Sequence, residues 1–223
     1  MNTSFATDIG QTSEQSAALF AKVACDIRER GYSILPEALP EPLTRQLLQQ
    51  VSNLDETEFV AAGIGRQSDF VHEQRIRSDE IVWITGDTPP GALWCQWTDQ
   101  LRLILNRQLL LGLFSFESHY SHYAPGAYYA RHLDAFKGER NRVLSVVAYL
   151  NPEWGDNDGG ELVLYANQED ATGVKVRPQR GTLVVFLSED FPHQVLPAQR
   201  DRYAIAGWFR TNTSTATRID PPR

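Results

Sequence analysis

The chain has 223 residues, 28 acidic against 21 basic side chains, a formal net charge of −7 and 42% hydrophobic residues. That length suits one large domain with a core of its own. The acidic balance argues against a broad nucleic-acid footprint, which needs many phosphate contacts, and no run of 18 apolar residues offers a membrane span.

The opening "MNTSFATDIGQTSEQ" lacks the basic, apolar, small-residue progression of a signal peptide, and residues 1–15 read as a flexible N-terminal arm. Cys25 and Cys95 give neither metal spacing nor a disulfide framework, so a cytoplasmic protein is expected. Apolar residues recur at helical intervals from Ser16 to Arg30, and Gly31 is placed to end that helix. "YSILPEAL" reads as a short strand, and residues 42–52 as an amphipathic helix with proline in its first turn. Residues 59–78 are charged and weakly alternating, which suggests a hairpin or a long loop carrying Arg66, Arg75 and Arg77. "EIVWITG" is strand-like, "DTPPG" breaks it, and residues 93–112 form the longest helical pattern. After Phe114 the period changes to short strands with turn-rich links, which predicts an α+β chain ending in an antiparallel sandwich or jelly roll.

Within "YYARHLDAFKG", His132 and Asp134 stand two apart, a spacing that puts both side chains on one side of a strand. An imidazole and a carboxylate supply two ligands of a set suited to ferrous iron; a second histidine would complete it and leave open positions. His193, in "EDFPHQVLP" between two strand patterns, is the candidate third ligand. Nine residues on, Arg202 opens "RYAIAGWFR", sharing a face with Ala204, Ala206 and Trp208. A guanidinium on an apolar inner face is costly without an anion, and its planar fork suits a carboxylate. The paired glycines Gly159 and Gly160 read as a turn before a strand.

These residues, with "YAPGAYYARHLDAFKG", "RVLSVVAYLNPEWGDNDGGEL" and "VRPQRGTLVVFLSEDFPHQVLPA", resemble the Fe(II)- and 2-oxoglutarate-dependent dioxygenases. Within them the chain is similar to the prolyl hydroxylases, in particular the catalytic domain of the hypoxia-inducible-factor enzymes and their bacterial relatives. The resemblance is dense over residues 123–210 and looser over 31–122. It implies a double-stranded β-helix (jelly roll) supported by N-terminal helices. One dioxygenase domain would span 16–212, with helical support over about 16–112, a core over about 113–210, and a polar tail at 213–223.

The resemblance also implies the site. His132, Asp134 and His193 match the iron triad and Arg202 the residue that holds the far carboxylate of 2-oxoglutarate. Tyr149 matches a tyrosine bonded to that carboxylate, and Tyr123 one lining the co-substrate site. Leu162 and Trp208 match apolar walls. Tyr129 matches the aromatic beside the first iron histidine, and Arg142 a basic residue at the mouth. The segment 64–78 matches a loop that folds over substrate, where Arg75 and Arg77 would favour acidic residues around the target proline. Fe(II), 2-oxoglutarate and O2, with ascorbate as supporting reductant, are the implied cofactors. The implied partner is a proline-containing protein, of the translation machinery or a regulator, acted on by a monomer that contacts neither nucleic acid nor membrane. Two alternatives stay open at this point: oxidation of free proline or another small molecule, and a non-catalytic sensor of metal or 2-oxoglutarate.

Overall fold

A computed structural model describes residues 5–62, 76–135 and 141–214. Three helices precede or interrupt eleven described strands: α1 (Phe5–Arg30), β1 (Tyr32–Leu35), α2 (Glu41–Ser52), β2 (Val60–Ala61), β3 (Glu80–Trp83), α3 (Pro89–Leu109), β4 (Ser115–Tyr123), β5 (Tyr129–His132), β6 (Arg142–Tyr149), β7 (Leu162–Leu164), β8 (Val174–Val176), β9 (Leu183–Leu187), β10 (His193–Val195) and β11 (Arg202–Arg210). The strands form a seven-stranded sheet, β1-β9-β6-β11-β4-β3-β2, and a four-stranded sheet, β5-β10-β7-β8. All the named strand pairs are antiparallel, and the two sheets form the jelly roll of a double-stranded β-helix.

Period-2 alternation assigns the two faces of the large sheet. Leu144, Val146 and Ala148 of β6, Ile205 and Phe209 of β11, and Tyr120 of β4 join the core beneath the helices. Phe20, Val23, Ala24 and Ile27 of α1, and Trp94, Leu101 and Leu105 of α3, cover that outer face. Each fully buried large apolar side chain contributes about 1.5–3 kcal/mol, so this layer holds the large sheet rigid. The alternate residues Tyr149, Ala204, Tyr123, Val184 and Phe186 face the small sheet, where Leu162 and Leu164 of β7 join the same cluster. The site lies in that inter-sheet space.

Three boundaries differ from the sequence expectation. The first helix begins at Phe5, where a loose arm to residue 15 was expected. The polar residues there contain no proline, and a lone Gly10 costs a helix only about 1 kcal/mol. The third helix starts at Pro89 rather than 93. The Thr88 side chain accepts from Gly91 N and caps it, and proline, lacking an N–H, suits the first turn. That helix ends at Leu109, followed by Leu110 in the left-handed region (φ 55°). Gly31 does end α1, at φ 80°; a Cβ there would lie 2.7 Å from the Phe191 ring. Residues 59–78 are in part a hairpin, β2 pairing with β3, while 63–75, and with them Arg66, His72 and Arg75, lie outside the described residues. So do 215–223 of the tail. Among the described residues, no helix is long and apolar enough to cross a membrane.

Candidate metal and co-substrate site

Antiparallel pairing of β5 with β10 sets His132 directly opposite His193. Their ring centroids lie 4.2 Å apart. Strand alternation is not what brings Asp134 to them, because β5 stops at His132 and Asp134 lies in the bend that follows. The bend returns its carboxylate to 3.6 Å from Nε2 of each histidine. One ligand atom from each of the three residues lies within 4.8 Å of the others, and among the described residues no other group of histidine, cysteine or carboxylate side chains has this arrangement.

The backbone assigns the donor atoms. His132 Nδ1 lies 2.8 Å from the Ala130 carbonyl and His193 Nδ1 3.1 Å from the Phe191 carbonyl. A carbonyl only accepts, so each Nδ1 carries the proton and each Nε2 keeps its lone pair for a metal. Ser145 Oγ donates to Asp134 Oδ2 at 2.6 Å and touches Ser188 Oγ at 2.9 Å. Burial pushes the His193 imidazole down to about 4, which keeps it neutral. Burial alone would raise the Asp134 carboxyl, but the two imidazoles and Arg142 hold it well below the usual carboxylate range. Two imidazoles that present Nε2 and one carboxylate, all partly oriented from behind, fit a divalent ion with positions left for other ligands.

Deeper between the sheets, Arg202 is 1% exposed. Its Nε donates to the Gly160 carbonyl at 2.8 Å, the one side-chain hydrogen bond of this guanidinium found among the described residues. The rings of Tyr123 and Tyr149 flank it, their centroids 4.7 and 5.2 Å from its central carbon. The Tyr149 hydroxyl is buried without a hydrogen-bond partner among the described residues. Burial pushes its phenol up to about 12 and raises that of Tyr123 well above its ordinary range, so both remain donors. A buried cation beside an orphaned hydroxyl is a costly arrangement that an incoming carboxylate completes. Gly160 has φ 68°, and a Cβ on it would meet Arg202 Cδ at 3.0 Å, so this glycine does more than turn the chain. Leu162, fully buried, belongs to the same inter-sheet cluster.

At the mouth, Tyr129 stacks on His132, centroids 3.6 Å apart and planes 14° apart. Arg142 lies over the Trp208 ring at 3.6 Å and donates to Glu117 at 3.2 Å. Arg210 shares that carboxylate at 2.9 Å. The Trp208 Nε1 is buried without a partner among the described residues. His119 packs between Trp83 and Trp208, and His122 contacts Asp201 at 2.8 Å and stacks on Tyr203. Arg77 is not placed as a free cation: it grips buried Asp79 with two bonds of 2.7 Å. Sequence reasoning did not single out Ser145, Asp79 or Glu117. The "RSD" spacing of Arg77 and Asp79 was the one local sign of that pair.

The geometry agrees with the comparisons. Residues 118–210 match the model of the 2OG-Fe(II) oxygenase superfamily. A solved prolyl-4-hydroxylase of Pseudomonas putida is 41% identical, with a TM-score of 0.77, over 86% of this chain and 99% of that one. A prolyl hydroxylase from Trichoplax adhaerens, solved with a fragment of the oxygen degradation domain of hypoxia-inducible factor, is 31% identical over 90% of this chain and 92% of that one, with a TM-score of 0.80. Human Egl nine homolog 1 is 27% identical over 215 residues, covering 90% of this chain and 49% of its own length. The chain thus spans about half the length of that relative. It belongs to the 2OG-Fe(II) oxygenase superfamily, the Fe(II)- and 2-oxoglutarate-dependent dioxygenases. Within that class its relatives are prolyl hydroxylases, animal and bacterial.

Proposed function

We propose that the chain is a protein prolyl hydroxylase that couples oxidative decarboxylation of 2-oxoglutarate to hydroxylation of a proline in a target protein. The observation that carries this reading is the convergence of the His132–Asp134–His193 cluster and the anion-seeking pair Arg202–Tyr149 in one inter-sheet space. His132, Asp134 and His193 would hold Fe(II), which when bound supplies the activation of O2. One oxygen atom of O2 enters succinate and the other the substrate's new C–OH, with CO2 released. Ascorbate would keep the metal reduced.

The chain's own residues do the rest. Arg202 binds the far carboxylate of 2-oxoglutarate with its planar fork, and Tyr149 donates to the same group. Tyr123 and Leu162 close the sides of that pocket and exclude water. The Ala130 and Phe191 carbonyls and Ser145 hold the three ligating side chains in one tautomer and orientation. Tyr129, Trp208 and Arg142 form the wall a substrate meets. The target's setting, in the translation machinery or a regulator of the cytoplasm, is part of the same proposal. The peptide-bound Trichoplax relative supports a protein substrate over a free amino acid.

The test has two arms. Purified protein with Fe(II) and 2-oxoglutarate is expected to bind the acid and release succinate. Mass spectrometry of cellular proteins with and without this chain is expected to show one proline gaining one oxygen atom. Failure to bind 2-oxoglutarate overturns the enzyme reading. Turnover with free proline, and no modified protein, moves the substrate to small molecules.

A further inference from the structure

The chain just before β3 is joined to the strand that carries the first metal ligand. Ala130 N donates to the Ile76 carbonyl at 2.7 Å, Ser78 N to the Tyr128 carbonyl at 3.1 Å, and Arg77 forms an antiparallel bridge with Tyr129. The Arg77 guanidinium lies over the Tyr129 ring, 4.3 Å from its centroid. Tyr129 in turn stacks on the His132 imidazole at 3.6 Å. Behind Arg77, the Asp79 carboxylate is wholly buried and takes both of its fork bonds, while Arg77 itself is 11% exposed. The order is therefore carboxylate, guanidinium, phenol ring, imidazole. Each member lies against the one before it.

A stacked ring has one loose coordinate, sliding and tilting in its plane, which backbone hydrogen bonds to His132 Nδ1 do not restrain. A guanidinium fixed by two charge-assisted bonds presses a cation on the far face of Tyr129 and removes that freedom. We propose that Arg77, clamped by Asp79, is a positioning residue of the metal centre, acting through the Tyr129 ring on the plane of His132. This goes beyond the reaction proposed above and rests only on the triad being the metal site. It also replaces substrate contact as the main duty of Arg77, since its fork is already engaged.

The probe is Mn(II) or Co(II) with the whole chain, without turnover. R77M together with D79N removes both charges at similar volume and so avoids leaving Asp79 buried and unpaired. Loss of groups that orient metal ligands lowers metal affinity by about 10- to 100-fold, and the lower end, about ten-fold, is expected for R77M/D79N. The visible bands of the Co(II) protein should shift with it. R77K keeps a charge beside Asp79 but not the planar stack, and should lose affinity by an intermediate factor; it carries the test if R77M/D79N does not fold. Y129L should lose about as much as R77M/D79N, and the triple variant no more than either, because residues acting through one another are not additive. Wild-type affinity and bands in a folded R77 variant, or losses that multiply in the triple variant, overturn the proposal. If the wild type binds no Co(II), or H132A binds it equally well, the triad reading fails instead.

Discussion

The two ends of the inter-sheet space solve opposite problems. At the metal end, every ligating side chain is already held: two imidazoles by backbone carbonyls, one carboxylate by Ser145. At the deep end, among the described residues, the Arg202 guanidinium makes one hydrogen bond, through Nε, and the Tyr149 hydroxyl makes none. The first is a preformed ligand set, poised before anything binds. The second is a buried cation whose stability depends on the arrival of an anion. The contrast teaches that metal binding here should report geometry, and co-substrate binding should report charge.

The largest effect should come from Asp134→Ala, which removes the one anionic ligand. Succinate release is expected to fall below detection, with the fold intact by circular dichroism because the core under the helices is untouched. Turnover equal to wild type would remove Asp134 from the ligand set. Next comes Arg202→Ala. A hydrogen bond to a charged group is worth about 1.5–3 kcal/mol, so 2-oxoglutarate affinity should drop about 10- to 150-fold with metal affinity kept. Calorimetric titration of 2-oxoglutarate into the Mn(II) protein measures this, and an unchanged dissociation constant would mean another cation holds the far carboxylate.

Ser145→Ala tests the metal end in the complementary way. Losing a partner that orients a ligand should weaken Mn(II) by about ten-fold and leave the intrinsic 2-oxoglutarate affinity of the metal-loaded protein near wild type. Equal weakening of both would show that the two ends are not separable. The smallest effect is expected for Tyr149→Phe. A neutral hydrogen bond contributes about 0.5–1.5 kcal/mol, a loss of about 2- to 12-fold in 2-oxoglutarate affinity. The same change removes a buried unsatisfied hydroxyl, so the ligand-free protein should melt at the same or a slightly higher temperature. A clear fall in melting temperature would mean that the hydroxyl has a structural partner.

Local pattern made the jelly roll and its helical support readable. Alternation marked β4, β6 and β11, Gly31 marked a helix end, and the spacing of His132, Asp134, His193 and Arg202 marked residues with metal and anion chemistry. These signals are legible because they depend on neighbours a few residues away: pleat, cap and turn. The helix starts at Phe5 and Pro89 were missed because polar stretches and a proline pair are weak evidence of the state they adopt.

What the sequence determined by itself is the inventory: two imidazoles, one carboxylate and one arginine of the right types, on or beside predicted strands. Only the tertiary structure decided how they meet. The His132–His193 register is a pairing across 61 positions, and Ser145 and Gly160 acquire their partners through contacts that no local pattern encodes. Arg77 shows the difference most plainly. In the sequence it is one arginine in a charged run, free to meet substrate. In the fold, a buried carboxylate two residues on and a tyrosine from another sheet decide where its charge is spent. Charge pairing in a low-dielectric interior depends on which groups are neighbours in space, and chain order does not specify that.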